Sequence, residues 1–363
     1  MTILAVNYGS SSLKTALFGP ADASTYPPPS LARLRIPRLS DGKLIVEWDG
    51  KRVERQVKDD PLAAVADALE ETGLPAPDAI GHRFVHGGQY DGPQVLTPDV
   101  LSRLEQLIPW APQHEPAALR GVAAAGKRWP SVPQVGCFDS AFHRTMPEIA
   151  QRLPFPAALW DEGIRRYGFH GLSYTHVVRT IGAEALGRAV VAHLGNGSSM
   201  TAIEGGRSVD TTMGFTPDAG LFMGSRSGDV DPGLLFYLAE RASDPKSLDE
   251  LRTMLQEQSG LRGLSGGESD MAALLERSDA PARLAVEAFI RQVAKQAAAF
   301  ATVLGGVDSL AFTGGIGEHA ASIRDGVVSR LGILAIGQVL VVPADEEAVI
   351  ADETARITGA VTP

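Results

Sequence analysis

Two strand–turn–strand units about half a chain apart constrain this sequence more than any other feature in it. The first runs Ile3-Leu4-Ala5-Val6-Asn7-Tyr8-Gly9-Ser10-Ser11-Ser12-Leu13-Lys14-Thr15-Ala16-Leu17-Phe18. An apolar run reads as a buried strand, a Gly-Ser turn follows, and a second strand resumes at Leu13. The second unit runs Ala189-Val190-Val191-Ala192-His193-Leu194-Gly195-Asn196-Gly197-Ser198-Ser199-Met200-Thr201-Ala202-Ile203. Laid together, Gly9 meets Gly195, Ser12 meets Ser198, Thr15-Ala16 meets Thr201-Ala202, and Leu17 meets Ile203. Such an echo is expected of two related domains that each open with the same hairpin. At the first tip, backbone N–H groups beside Gly9, the hydroxyls of Ser10 to Ser12 and the Lys14 ammonium would make a concavity suited to an anion, most naturally a phosphate. An ordinary serine-rich hairpin fits the same residues. A Walker A loop does not, because G-x-x-x-x-G-K-[ST] is absent.

Length agrees with two domains, since 363 residues exceed one ordinary core. A formal net charge of −10 argues against a non-specific nucleic-acid or anionic-membrane binder, both of which need a basic face. Cys137 is the single cysteine, which excludes an intrachain disulfide and a cysteine-based zinc site; a small buried hydrophobe is its expected role. The first residues enter a strand without a secretory leader pattern, and no apolar run is long enough to span a bilayer. A cytoplasmic protein is expected.

Along the chain, Gly19 to Ser30 is a proline-rich connection, and Leu44 to Trp48 is a strand turning at Asp49-Gly50. Pro61 to Thr72 has helical apolar spacing and ends at Gly73. Ala79-Ile80 leads into Gly81-His82-Arg83-Phe84-Val85-His86-Gly87-Gly88, a strand ending in a polar glycine-flanked loop. Val132 to Asp139 is another strand, with Asp139 at its carboxyl end, where α/β folds bind ligands. Ala282 to Leu304 is a long amphipathic helix stopped by Gly305-Gly306. Ser309 to Phe312 is a buried strand, and Thr313-Gly314-Gly315-Ile316-Gly317-Glu318 opens a helix over bare backbone that can receive a nucleotide. Val339 to Val342 is a late strand, residues 343–347 a helix start, and Ala348 to Ile357 a closing helix. The interleaving predicts an α/β architecture.

Three glycine turns (9–12, 195–199 and 313–317) point to a phosphate-rich ligand between two domains. The ordered motifs around them resemble the acetate kinase family, within the acetate and sugar kinase/Hsc70/actin superfold. They are Asn7 to Lys14, Gly81 to Gly88, Ala111-Pro112-Gln113-His114, Phe138 to His143, and Arg165 to Gly171. His193 to Ser199, Val209 to Pro217, Met223 to Pro232, and Phe312 to Glu318 complete the series. The resemblance covers nearly the whole chain. It implies two duplicated ribonuclease H-like domains with an interdomain active-site cleft, residues 1–144 completed by a C-terminal helix over 348–363, and residues 145–347 binding the nucleotide.

The same resemblance implies reversible phosphorylation of a short-chain carboxylate (acetate, with propionate and butyrate as options) by ATP, giving acyl phosphate and ADP by direct in-line transfer. Two anions must meet in that reaction, so positive charge at the transfer point is the first requirement. Arg83 and Arg226 match the family's catalytic arginines, and their forks suit carboxylate and phosphoryl oxygens. His170 matches a histidine that donates to the phosphoryl group, and Asp139 completes the catalytic set. Asn7, Ser10, Ser12, Lys14, Arg83 and His114 match substrate contacts, with Val85, Gln113, Phe169 and Pro217 as the acyl pocket. Lys14, His193, Gly195, Asn196, Gly197, Asp270, Gly314, Gly315 and Gly317 match the nucleotide side. Mg²⁺, with Mn²⁺ as an alternative, would be held through Asn7, Asp139 and Glu346, or Glu347 in place of Glu346. A homodimer is implied by the family alone. His82, His86, His143, His176 and His319 are expected to be structural or surface residues.

The chain departs from the family pattern at several points. Gln113 replaces a leucine, Glu115 an asparagine and Tyr174 a histidine, and an arginine near the adenine position is missing around Ser269 to Ala273. The preferred acyl group and the phosphoryl donor, another nucleotide or pyrophosphate included, therefore stay open. One methylene in such a pocket discriminates by only about 1–3 kcal/mol. Two further functions fit the superfold. One is a kinase acting on a hydroxyl, for which Asp139 would be the base; the other is a nucleotide-switched binding protein.

Overall fold

The computed structural model describes residues 1–9, 12–20, 25–57, 60–241 and 243–359. The chain divides into two compact units. Unit 1 comprises Met1–Arg144, His170–Thr180 and the chain from Asp345 onward; unit 2 comprises Thr145–Phe169 and Ile181–Ala344.

Among the described residues unit 1 holds eight strands: β1 (Ile3–Tyr8), β2 (Leu13–Phe18), β3 (Ser30–Ile36), β4 (Lys43–Trp48), β5 (Lys51–Gln56), β6 (Ala79–Phe84), β7 (Gln94–Val95) and β8 (Gln134–Phe138). They form one sheet in the order β5-β4-β3-β2-β1-β6-β8-β7. β1, β6 and β8 are parallel to one another, while β1 to β5 form an antiparallel meander. The meander's last turn is the expected Asp49-Gly50, with φ of 45° and 69°, as a tight hairpin requires. β1 is apolar throughout because both its faces are covered. Leu4 and Val6 pack with Leu17, Leu34 and the helix Pro61–Glu71, whereas Ile3 and Ala5 pack with Phe18, Cys137 and the helix Glu346–Gly359. Each such Leu or Val taken out of water contributes about 1.5–3 kcal/mol. Cys137 is fully buried, as its sequence context predicts.

Unit 2 holds β9 (Ala189–Leu194), β10 (Ser198–Glu204), β11 (Arg207–Thr211), β12 (Val307–Thr313) and β13 (Ile336–Val341), in the order β11-β10-β9-β12-β13. β9, β12 and β13 are parallel, and β10 and β11 complete an antiparallel meander. This order and these directions repeat β3-β2-β1-β6-β8 of unit 1. The echo between the two hairpins is thus the sequence trace of a duplicated α/β fold. The helix Ala280–Leu304 buries Phe289, Val293, Ala297 and Phe300 against the second sheet and stops at Gly305, which adopts the left-handed conformation.

Two boundaries differ from the sequence expectation. The helix start expected over 343–347 and the closing helix expected from Ala348 are one continuous helix, Glu346–Gly359, with both acidic residues in its first turn. The helix Gly171–Ile181, expected inside the second domain, packs with unit 1, because Leu172 joins the apolar layer of β1 and the closing helix. No helix among the described residues is long and apolar enough to cross a membrane.

Candidate active site

In unit 1 the parallel pairing of β6 with β8 sets Arg83 opposite Cys137 and Phe84 opposite Phe138, which brings Arg83 beside Asp139 at the carboxyl ends of both strands. Arg83 Nε donates to Asp139 Oδ1 and Oδ2 at 3.2 and 3.1 Å, and Nη2 donates to Oδ2 at 2.6 Å. Nη1 donates to Asn7 Oδ1 at 3.1 Å, and Asn7 Nδ2 donates to Glu347 Oε1 at 3.2 Å. Burial works against the Arg83 charge, yet Asp139, Glu346 and Glu347 outweigh it and raise its pKa. Burial pushes the Asp139 carboxyl upward, with Arg83 pulling it back and Glu346 adding to the push. Glu347 is likewise raised by burial and by Glu346, against the pull of Lys14.

Glu346 raises both Asp139 and Glu347 about the Arg83 guanidinium, and a divalent cation would relieve that repulsion. Among the described residues no group of three or more His, Cys, Asp or Glu forms a metal cage. Magnesium needs none, since it keeps waters and phosphate oxygens and takes one or two carboxylates. The oxygen donors of Asn7, Asp139, Glu346 and Glu347 therefore suit such an ion.

Asp139 also fixes the start of the helix Gly171–Ile181. Gly171 N–H donates to the Asp139 carbonyl at 2.9 Å, and a Cβ on Gly171 would lie 2.1 Å from that oxygen. His170, immediately before, has φ of 60°, a left-handed conformation that a non-glycine residue holds only when its surroundings impose it. The cluster thus joins Asn7, Arg83, Asp139, the Gly171 amide and Glu347. Lys14 is exposed on β2 opposite Asn7, and Ser12 closes the hairpin tip by accepting from Gly9 N–H at 2.9 Å. Ser10 lies outside the described residues. Val85 is half-buried on the loop after Arg83, while exposed Gln113 and half-buried His114 lead into the helix Glu115–Arg128. Tyr174 is buried against the rings of Phe142 and His143. His82, His86, His143 and His176 are buried, and His319 is exposed.

In unit 2 the second hairpin closes like the first, with Gly195 N–H donating to Gly197 O at 3.0 Å. β9 and β12 are parallel neighbours with His193 opposite Thr313, so the turns at 195 and 314 stand side by side. Gly314 has φ of 77°, and a Cβ there would sit 2.8 Å from the Leu194 carbonyl. A Cβ on Gly315 would meet nothing within 4 Å, so this backbone faces open space. Asn196 holds the neighbouring loop by accepting from Gly224 N–H through its carbonyl. Asp270 is an exposed helix N-cap that accepts from Ala272 N–H. Phe169 and Pro217 are buried. Arg226 donates through Nη1 to Pro217 O at 3.2 Å and sits with Nε 3.5 Å from Asp218 Oδ1; burial lowers its pKa against the pull of Asp218.

One contributor was not singled out from the sequence. Asp218 faces Arg226 and itself accepts from Gln256 Nε2 at 2.7 Å. Its position directly after Pro217 in the Thr216-Pro217 motif was the available signal. Glu347, the alternative to Glu346 in the sequence reading, accepts from Asn7 Nδ2 in the first turn of the closing helix.

The family model described as the acetokinase family matches residues 2–363. The chain is 43% identical to an acetate kinase of Deinococcus radiodurans, covering 99% of this chain and 98% of that protein. Among solved structures, a propionate kinase from Francisella tularensis superposes with a TM-score of 0.90 at 34% identity, covering 98% of this chain and 99% of that one. An acetate kinase from Porphyromonas gingivalis superposes with a TM-score of 0.85 at 33% identity over the same shares.

Proposed function

Since the chain belongs to the acetokinase family, we propose that it transfers the γ-phosphoryl group of ATP to a short-chain carboxylate, acetate first, forming acyl phosphate and ADP reversibly. What supports a carboxylate over a hydroxyl acceptor is the occupation of Asp139, whose two oxygens both accept from Arg83. A hydroxyl acceptor needs that carboxylate as a base; a carboxylate acceptor has no proton to lose. Asp139 is instead the group that aims Arg83.

In this reading Arg83 and Arg226 bind the carboxylate and the equatorial phosphoryl oxygens, and His170 donates to the group in transfer. Asn7, Ser10, Ser12, Lys14 and His114 orient the phosphoryl end. Val85, Gln113, Phe169 and Pro217 receive the acyl chain, with Gln113 admitting a polar edge. His193, Gly195, Asn196, Gly197, Asp270, Gly314, Gly315 and Gly317 receive the nucleotide with Lys14. Mg²⁺ held by Asp139, Glu346 or Glu347, and Asn7 would neutralise charge on the β- and γ-phosphates.

A homodimer belongs to the same proposal. The helix Pro232–Glu240 buries none of its residues and leaves Leu234, Phe236 and Tyr237 at 47%, 66% and 61% exposure, which favours a partner surface. A cytoplasmic location is also part of it.

The test is hydroxylamine trapping of acyl phosphate with ATP or pyrophosphate as donor and acetate, propionate or butyrate as acceptor, with Mg²⁺. Acyl hydroxamate from ATP is expected. Folded protein that makes none with any acid and either donor would overturn the reading, and turnover of a sugar or polyol instead would revive the hydroxyl alternative.

A further inference from the structure

The loop that follows Arg83 is pinned at three successive amides, and one of the pins is an acid with no access to water. Gly87 N–H donates to Ser140 Oγ at 2.9 Å, Gly88 N–H donates to His86 Nδ1 at 2.9 Å, and His86 N–H donates to Glu115 Oε1 at 2.8 Å. Glu115 opens the helix Glu115–Arg128, directly after Gln113 and His114, and its residue exposure is 0%. Its second oxygen, Oε2, is buried and accepts no hydrogen bond.

We propose that Glu115 is a positioning residue: as a neutral carboxyl group it holds the Val85–Gly88 loop, and through that loop sets where Val85 and Arg83 stand for the carboxylate substrate. The proposal rests on the functional reading above. The geometry requires neutrality. An anionic carboxylate with one oxygen buried and unpartnered is far costlier than the acid, whose proton can sit on that oxygen. Burial pushes the Glu115 carboxyl up to about 8, with the His86 amide opposing and Asp139 adding to the rise. Of the other titratable groups around it, His86 on the loop is lowered to about 4 by burial and so stays neutral, His114 directly precedes it in the chain as the helix N-cap, and the Arg83 charge is engaged by Asp139. Loss of the proton places a second negative charge beside Asp139 and invites water under the loop. Both loosen the wall against which the substrate carboxylate is aimed.

Two measurements test this, one of which does not depend on catalysis. Folding binds a proton at Glu115 between its unfolded value and about 8, so wild-type stability should fall with rising pH across that window. Glu115→Gln keeps the accepting oxygen and abolishes the titration. Its melting temperature should therefore gain on wild type steadily from about pH 5 to about pH 8 and run parallel above. Parallel curves throughout would overturn the neutral-acid assignment, whatever the enzyme does. In the acyl phosphate assay, wild-type kcat/KM for acetate should fall about tenfold per pH unit beyond about 8, carried by KM more than kcat, and Glu115→Gln should lose that fall. An identical alkaline fall in the variant would overturn the positioning role. Absence of acyl phosphate from both proteins would count against the functional reading, leaving the melting comparison to judge Glu115.

Discussion

Asp139 is buried at 1% exposure and Arg83, its partner, reaches solvent at 22%, although their closest contact is only 2.6 Å. The carboxylate is therefore the fixed half of the pair and the guanidinium the half that meets a ligand. Asn7 and Glu347 extend the same chain of bonds to β1 and the closing helix.

Removing the fixed half should cost both fold and function. Asp139→Ala leaves the Arg83 charge without its partner, and a loss of about 3–5 kcal/mol is expected in urea unfolding. Acyl phosphate formation by the folded fraction should fall by about 10²–10³, as for loss of a preorganised charge contact. An unfolding midpoint equal to wild type would show that the pair does not hold the site.

The glycine loops separate packing from binding. Gly171→Ala must push the Asp139 carbonyl aside, and a loss of about 1–3 kcal/mol by thermal or urea unfolding is expected. Gly315→Ala meets nothing within 4 Å and should stay within about 0.5 kcal/mol of wild type. If the nucleotide lies on that backbone, the same change raises KM for ATP about tenfold or more, against an unchanged KM for acetate. Unaltered ATP kinetics would remove the 313–317 turn from the nucleotide site.

Arg226 and Asp218 should differ in kind. Arg226→Ala is expected to lower kcat by about 10²–10³ with the fold intact. Asp218→Asn keeps the Gln256 contact in part but drops the charge facing Arg226, so a smaller loss of about tenfold is expected, again in kcat. Equal losses would mean that Asp218 does more than orient the arginine.

Acid should destabilise the protein through two buried histidines. His82 and His86 are both lowered to about 4 from 6.5, chiefly by burial; His82 Nε2 is also hydrogen-bonded to Gln134 Oε1 at 2.7 Å. Below the unfolded value the unfolded chain binds protons that the folded chain refuses. Stability is then full above about pH 6.5 and drops towards about pH 4, by about 3 kcal/mol for each histidine. Melting curves of His82→Gln should show a shallower acid fall. Glu115 slopes the opposite way over part of this range, so the comparison is cleanest in the Glu115→Gln background. An acid limb unchanged by His82→Gln would reject the assignment.

Much of this is legible in the sequence. Apolar runs bounded by Gly-Ser turns placed β1, β2, β9 and β10, and the long 3.6-residue pattern placed the helix ending at Leu304, because strand and helix periodicities are local properties. The glycine pattern also located the turns at 195 and 314 that the parallel pairing of β9 and β12 then set side by side. Less was legible where one residue must choose among neighbours. Glu346 and Glu347 are equivalent on paper, and the phase of the closing helix turns Glu347 to Asn7.

Local pattern therefore carried the element types, the duplication and the residue kinds an anion-handling site needs, since each depends on spacing within a few residues. Which groups are paired, and which are charged, came only from tertiary packing. Asp139 reads in sequence as a metal ligand or a base, and only the side-by-side ends of β6 and β8 give it to Arg83. Glu115 shows in sequence only as a departure from the family's asparagine; packing beneath the Val85–Gly88 loop buries it, and burial decides its charge because a carboxylate cut off from water retains a proton it would otherwise lose.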